Sequence, residues 1–94
     1  MRTIERTSRF KRDYKRESRG QHRTVLDDCL TDVVHALASD TAMDRRYHDH
    51  ALSGSWADFR DCHLRPSLIL IYQKPDPNTL RLVRLGSHSE LGFG

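Results

Sequence analysis

Three histidines in the second half of this chain, His50, His63 and His88, are its best candidates for chemistry. Imidazole changes charge near neutral pH, so it is the common tool for moving protons. Asp61 precedes His63 by two residues, and alternate residues of a strand share a face. The carboxylate and the imidazole therefore point the same way, together with Phe59. A carboxylate so placed raises the imidazole pKa and fixes its tautomer. With arginines interleaved, these groups suggest acid–base chemistry on an anionic substrate. Taken singly, each histidine is more often a surface or structural residue. Periodicity alone does not bring the three together.

Other chemistries find less support. His48-x-His50 with His63 offers nitrogen ligands, but there is no cysteine pair and no HExxH spacing, so no metal is assigned. Gly54-Ser55 and Ser87-His88 lack the G-x-S-x-G turn of a serine nucleophile. No glycine-rich phosphate loop or dinucleotide fingerprint occurs, and no cofactor is implied. His22, His35 and His48 read as bystanders. Cys29 and Cys62 read as small core residues.

The elements that must carry the candidates are legible in outline. Arg2 to Arg6 alternates like a short strand. Ser8 suits the N-cap of a helix over about Arg9 to Arg19, anchored by Phe10 and Tyr14. Val25, Leu26, Cys29, Leu30, Val33, Val34 and Leu37 form the stripe of a second helix, with Thr24 and Asp27 resembling a capping box. Asp40 to Ser55 reads as a polar loop. Three strands follow: Trp56 to Leu64, Leu68 to Lys74 and Thr79 to Leu85. The first is expected to set Trp56, Asp58, Arg60 and Cys62 on one face. The last is expected to alternate Leu80, Leu82 and Arg84 against Arg81, Val83 and Leu85. Pro66 and Pro75-Asp76-Pro77-Asn78 mark turns too short for crossover helices, so these strands are antiparallel neighbours. The order β-α-α-β-β-β gives an α+β fold, a helical hairpin on a small, twisted, mostly antiparallel sheet.

Ninety-four residues, 36% hydrophobic and 31% charged, make one domain over 1–94. No run approaches the ~20 apolar residues of a membrane span, and Met1 to Arg6 lacks a signal-peptide core, so a cytoplasmic location is expected. The net charge of +3 is unevenly spread. The first 23 residues hold nine basic side chains against Glu5, Asp13 and Glu17, a net +6, and the remainder carries −3. Arg9, Lys11, Arg12, Lys15 and Arg16 concentrate that charge on the first helix, a footprint for a polyanion or an acidic partner.

The run Asp49-His50-x-Leu52-x-Gly54-x-Trp56, with Arg60-Asp61-x-His63-Leu64, Ile69-Leu70-Ile71-Tyr72 and Gly86-x-His88, closely resembles the YafQ-type toxins of the RelE/ParE superfamily. The likeness covers residues 46 to 94 well; the first half agrees in layout and basic character. It implies a RelE-like fold and a toxin of a type II toxin–antitoxin system. It further implies a metal-free mRNA endonuclease that cuts in the ribosomal A site by 2′-hydroxyl attack, leaving a 2′,3′-cyclic phosphate. By position, His50, His63 and His88 match the family's active-site histidines and Asp61 its strand acid. His50 is assigned as general base, His88 as general acid and His63 as a phosphate contact whose charge Asp61 tunes. His50 and His63 can exchange roles. Phe93 matches a C-terminal aromatic that stacks on a base.

The family pattern has an aspartate where this chain has Ser67 and an aromatic where it has Leu68. Arg9, Lys11, Arg12, Lys15 and Arg16 would dock on ribosomal RNA, and Arg60, Arg84 and Phe93 join them as substrate- or ribosome-binding residues. A DinJ/RelB-like cognate antitoxin would cover this surface, and operator DNA is a further candidate partner through that complex. Two alternatives stay open because fold does not fix function. One is a ParE-like toxin that inhibits a protein such as gyrase. The other is a degenerate toxin that only binds its antitoxin.

Overall fold

The computed structural model describes residues 1–92. Its elements are β1 (Thr3–Arg6), α1 (Ser8–Glu17), α2 (Leu26–Ala38), β2 (His50–Ala51), β3 (Arg60–Arg65), β4 (Leu68–Gln73) and β5 (Thr79–Gly86), with 3-10 turns at Arg45–Tyr47 and Gly54–Trp56. The sheet order is β1-β5-β4-β3-β2. Among the described residues only β1 runs parallel to its neighbour; the other pairs are antiparallel. The α+β hairpin-on-sheet architecture expected from the sequence is the one observed. Among the described residues no helix is long and apolar enough to cross a membrane.

β4 is buried on both faces, which explains its unbroken Leu68 to Tyr72 run. Its two faces serve different layers. Leu68, Leu70 and Tyr72 pack under the helices with Phe10, Leu26, Val33, Leu37, Cys62, Leu64, Leu80, Leu82 and Leu85. Ile69 and Ile71 face the other way and pack with Leu91, Leu52, Trp56, Phe59 and Val83. Both cysteines are free thiols; Cys62 is buried and Cys29 half-buried.

Several local expectations need correction. Thr7, not Ser8, caps α1, its hydroxyl accepting from the Phe10 amide, and the helix stops at Glu17. The Thr24–Asp27 capping box does not form: Val25 is the N-cap, without a side-chain bond. Asp27 instead accepts from the Tyr14 hydroxyl. Trp56 lies in a 3-10 turn that Gly54 opens at φ +65°. Outside the strand period, Trp56 joins Phe59 on one layer, edge to face at 5.4 Å. The Asp40 to Ser55 loop holds an unexpected edge strand, β2. On β5 a bulge sets Arg84 opposite Ile71 but Leu82 opposite Tyr72. The extra residue shifts the alternation, so Leu85 faces the helices with Leu80 and Leu82, and Val83 faces away.

α1 is fixed as much by charge as by its aromatics. Asp13 is buried at 3% exposure. Its Oδ2 accepts from Arg84 Nε at 2.7 Å and from the Leu85 amide at 3.0 Å, and its Oδ1 from Arg16 Nη1 at 3.0 Å. Arg16 Nη2 donates to the Leu85 carbonyl at 2.8 Å. Burial pushes the Asp13 pKa up, but the Arg84 bond, the Leu85 amide and the charges of both arginines outweigh it and hold the carboxyl below its ordinary range.

Candidate active site

Strand pairing brings the candidate residues together. His50 stands opposite Asp61 in the β2–β3 ladder. His63 follows Asp61 by one period on the same face of β3. Across β4, Ile69 pairs with His63 on one side and with Gly86 on the other. His88, two residues past Gly86, returns over this position, and its ring lies 5.4 Å from that of His63, tilted 73°. The fully buried Ile69 and Ile71 form the apolar layer of this face.

Asp61 is the electrostatic centre, with its side chain 4% exposed. Burial raises its pKa, opposed by the fields of His50, His63 and His88 in that order. Its Oδ1 lies 3.2 Å from His50 Nδ1 yet accepts no hydrogen bond among the described residues. The reason is a competing acceptor: His50 Nδ1 is 2.7 Å from the His48 carbonyl. A carbonyl only accepts, so Nδ1 carries the proton, and neutral His50 keeps its lone pair on Nε2. The contact with Asp61 is not a hydrogen bond, and it becomes an ion pair only when His50 is protonated.

His63 differs from expectation. Burial lowers its pKa; Asp61 pulls it up, and His88, His48 and His50 push it down. The net direction is downward, so near neutral pH His63 offers mainly a neutral ring. The expected charge tuning by Asp61 is real in sign but is outweighed.

His48, read as a bystander, belongs to the cluster. Its ring lies 5.5 Å from His63. It sits at φ +49°, one of two left-handed non-glycine residues among those described. This reversal ends the Arg45–Tyr47 turn and turns His50 toward Asp61. The His48-Asp49-His50 alternation was a signal for it, but the left-handed residue could not be read from the pattern. His22 and His35 stay outside the cluster. His22 Nε2 lies 3.0 Å from Ser67 Oγ, so Ser67 is engaged in the β3–β4 turn.

The turn carrying His88 is itself built. Ser87 Oγ accepts from the Glu90 amide at 3.2 Å, and a Glu90 carboxylate oxygen accepts from the Ser87 amide at 2.8 Å. This reciprocal Ser-x-x-Glu arrangement is a capping box, unnoticed in the sequence. Glu90 Oε2 also meets Arg16 Nε at 3.1 Å, and Leu91 is buried beside Ile69 and Ile71. Gly86 leaves room for this join: a Cβ there would lie 2.7 Å from Arg16 Nη2.

The expected cations divide into two groups. Arg9, Lys11, Arg12 and Lys15 are exposed on α1. Arg16 and Arg84 are committed to Asp13. Arg60 is opposite Tyr72, a residue of the helix-side layer, and its guanidinium donates to the Tyr72 hydroxyl and to Asp49, each at 3.3 Å. Phe93 lies outside the described residues. Among the described residues no group of three or more His, Cys, Asp or Glu side chains is arranged to hold a metal ion.

Comparison with known proteins bears on the family and the fold. A family model described as a bacterial toxin of type II toxin–antitoxin systems, YafQ, matches residues 2–93. An mRNA interferase toxin YafQ from Escherichia coli BL21 is 35% identical over 94 residues, which span 99% of this chain and 97% of the relative. The crystal structure of a metal-bound toxin from Helicobacter pylori is 45% identical at a TM-score of 0.79, covering 97% of this chain and 99% of the other. The crystal structure of the E. coli DinJ–YafQ toxin–antitoxin complex has a chain 34% identical at a TM-score of 0.80, covering 99% and 98%.

Proposed function

Because the chain belongs to the YafQ family of type II toxin–antitoxin toxins, we propose that it is an endoribonuclease that cuts messenger RNA in the ribosomal A site. The observation that carries this reading is the gathering of His50, His63 and His88 around the buried Asp61. The naming of the E. coli relative as an mRNA interferase supports it.

The 2′-oxygen of the ribose attacks the adjacent phosphorus, and the bond from phosphorus to the 5′-oxygen breaks. His50 Nε2 takes the 2′-hydroxyl proton, a role its Nδ1–H tautomer suits. His88 gives a proton to the departing 5′-oxygen. The products are a 2′,3′-cyclic phosphate and a 5′-hydroxyl, with no water consumed. His63, largely neutral, donates a hydrogen bond to a phosphate oxygen, and Asp61 offsets the positive charge that builds on His50. No metal takes part in this scheme.

Arg9, Lys11, Arg12 and Lys15 dock on ribosomal RNA phosphates. An E. coli relative forms a DinJ–YafQ toxin–antitoxin complex, and by that likeness a DinJ/RelB-like antitoxin covers this toxin, with any contact with operator DNA running through their complex. Action on ribosomes places the protein in the cytoplasm.

Primer extension on a translated message, with purified protein, ribosomes and EDTA, tests the reading. Cuts that need the ribosome and survive EDTA are expected. Cuts abolished by EDTA would remove the metal-free scheme. Growth arrest without any cut would overturn the RNase reading in favour of a protein target.

A further inference from the structure

A cleft of about 590 Å³ opens beside His63, between α2 and the Arg45–Tyr47 turn. That volume falls within the range of about 300–1,000 Å³ typical of small-ligand sites. Leu64 and Pro66 contribute apolar lining, and His48 and His63 stand together on its wall. Arg65 lines it as well, exposed, and among the described residues its guanidinium makes no hydrogen bond or ion pair. The other arginine of the cleft, Arg46, donates to the Tyr47 hydroxyl and lies over its ring. Arg16 and Arg84 are spent on Asp13, and Arg60 on Asp49. Arg65 is thus an uncommitted guanidinium two residues from His63, and its planar fork suits a phosphate. Across the cleft, Asp28 and Asp32 present carboxylates from α2. Carboxylates repel phosphate, but they accept from the N–H groups on a base edge.

We propose that this cleft is a nucleotide subsite for single-stranded RNA, in which Arg65 takes the phosphate next to the cut and Asp28 and Asp32 read the base edge. The site favours bases bearing an exocyclic amine, adenine, cytosine or guanine, over uracil, which offers these carboxylates only its ring N–H. The inference rests on the RNase reading for its biological use, but binding can be measured without cleavage.

The test is an NMR titration of the labelled full chain with short oligoribonucleotides carrying 2′-O-methyl groups, which cannot be cut. Shifts are expected at Arg65 Nε–H and at the amides of Asp28, Asp32, His48 and His63. Arg65→Ala should weaken binding about tenfold, with Arg65→Lys in between. Asp28→Asn with Asp32→Asn should reduce the preference of adenine over uracil oligomers. Shifts confined to other surfaces, an unchanged affinity in Arg65→Ala, or no binding at millimolar RNA would each overturn the subsite. Ribosome-dependent cleavage by the wild type, assayed separately, reports on the RNase reading alone. If that assay succeeds and Arg65→Ala cuts at the wild-type rate, the subsite falls and the RNase reading stands.

Discussion

His50 and Asp61 are cross-strand partners with Nδ1 and Oδ1 3.2 Å apart, yet the proton on His50 Nδ1 is held by the His48 carbonyl at 2.7 Å. The carboxylate thus stands beside the imidazole without being neutralised by a hydrogen bond. It remains a buried charge with three histidines in its field.

Such a charge costs stability. The folded pKa of Asp61 is raised from 3.8, so protonation favours the fold. The contribution of this group is most favourable below 3.8 and is lost as pH rises through the raised folded value. At neutral pH, Asp61→Asn should therefore melt a few degrees higher than the wild type while cutting more slowly, a trade of stability for function. Calorimetry beside the primer-extension assay checks it. A lower melting point would show that the carboxylate supports the fold.

The same substitution has a spectroscopic signature. His63 should titrate below its ordinary 6.5, followed through its ring carbon-bound protons by NMR. Asp61 is the group that raises that value, so Asp61→Asn should move the midpoint lower still. A midpoint that rises would reverse the assigned sign.

His88→Ala should keep the fold and antitoxin binding and lose cleavage by about 10²-fold or more, the usual worth of a positioned proton donor. Glu90→Ala should give a smaller loss with little change in antitoxin affinity, because it removes the acceptor of the Ser87 amide. Glu90→Gln keeps an acceptor oxygen and should recover most of the rate. Equal rates for all three chains would detach the turn from the mechanism.

Asp13→Ala should destabilise the protein by about 3 kcal/mol, since it strands the half-buried Arg84 and the Leu85 amide. The Asp13 pKa is lowered, so its contribution is present above 3.8 and is lost as pH falls through the lower folded value. Chemical denaturation of wild type and mutant should converge on acidification below that point. A constant gap down to pH 2 would contradict the assignment.

The basic residues of α1 should separate by assay. Neutralising Arg12 and Lys15 should weaken ribosome binding and reduce the salt slope by about two, with an unchanged melting point. Arg16→Ala should instead lower the melting point, because its guanidinium joins Asp13, Glu17 and Glu90. A shared effect of all three on the salt slope would return Arg16 to the docking face.

Much of this site was legible because period two is a local property. The Asp61–His63 face needed only two residues of one strand, and the buried run of β4 identified the centre of the sheet. What escaped depends on distant or irregular events. Asp13 reaches Arg84 across 71 residues of sequence, and no local pattern says which charge will be spent inside the fold. The β5 bulge moves Leu85 to the other face without altering composition. His48 joins the cluster through one left-handed residue, and Trp56 changes layer through a 3-10 turn.

The parallel pairing of β1 with β5 joins Thr3–Arg6 to Thr79–Gly86, strands from opposite ends of the described residues. Asp13 waits for Arg84 and Leu85 in the same way, and His63 for His88. None of these can close while Thr79–Gly86 and His88 are still inside the exit tunnel of the ribosome that makes them. The histidine cluster is therefore incomplete until residue 88 has emerged. A partner already present in the cell meets an unfinished chain first.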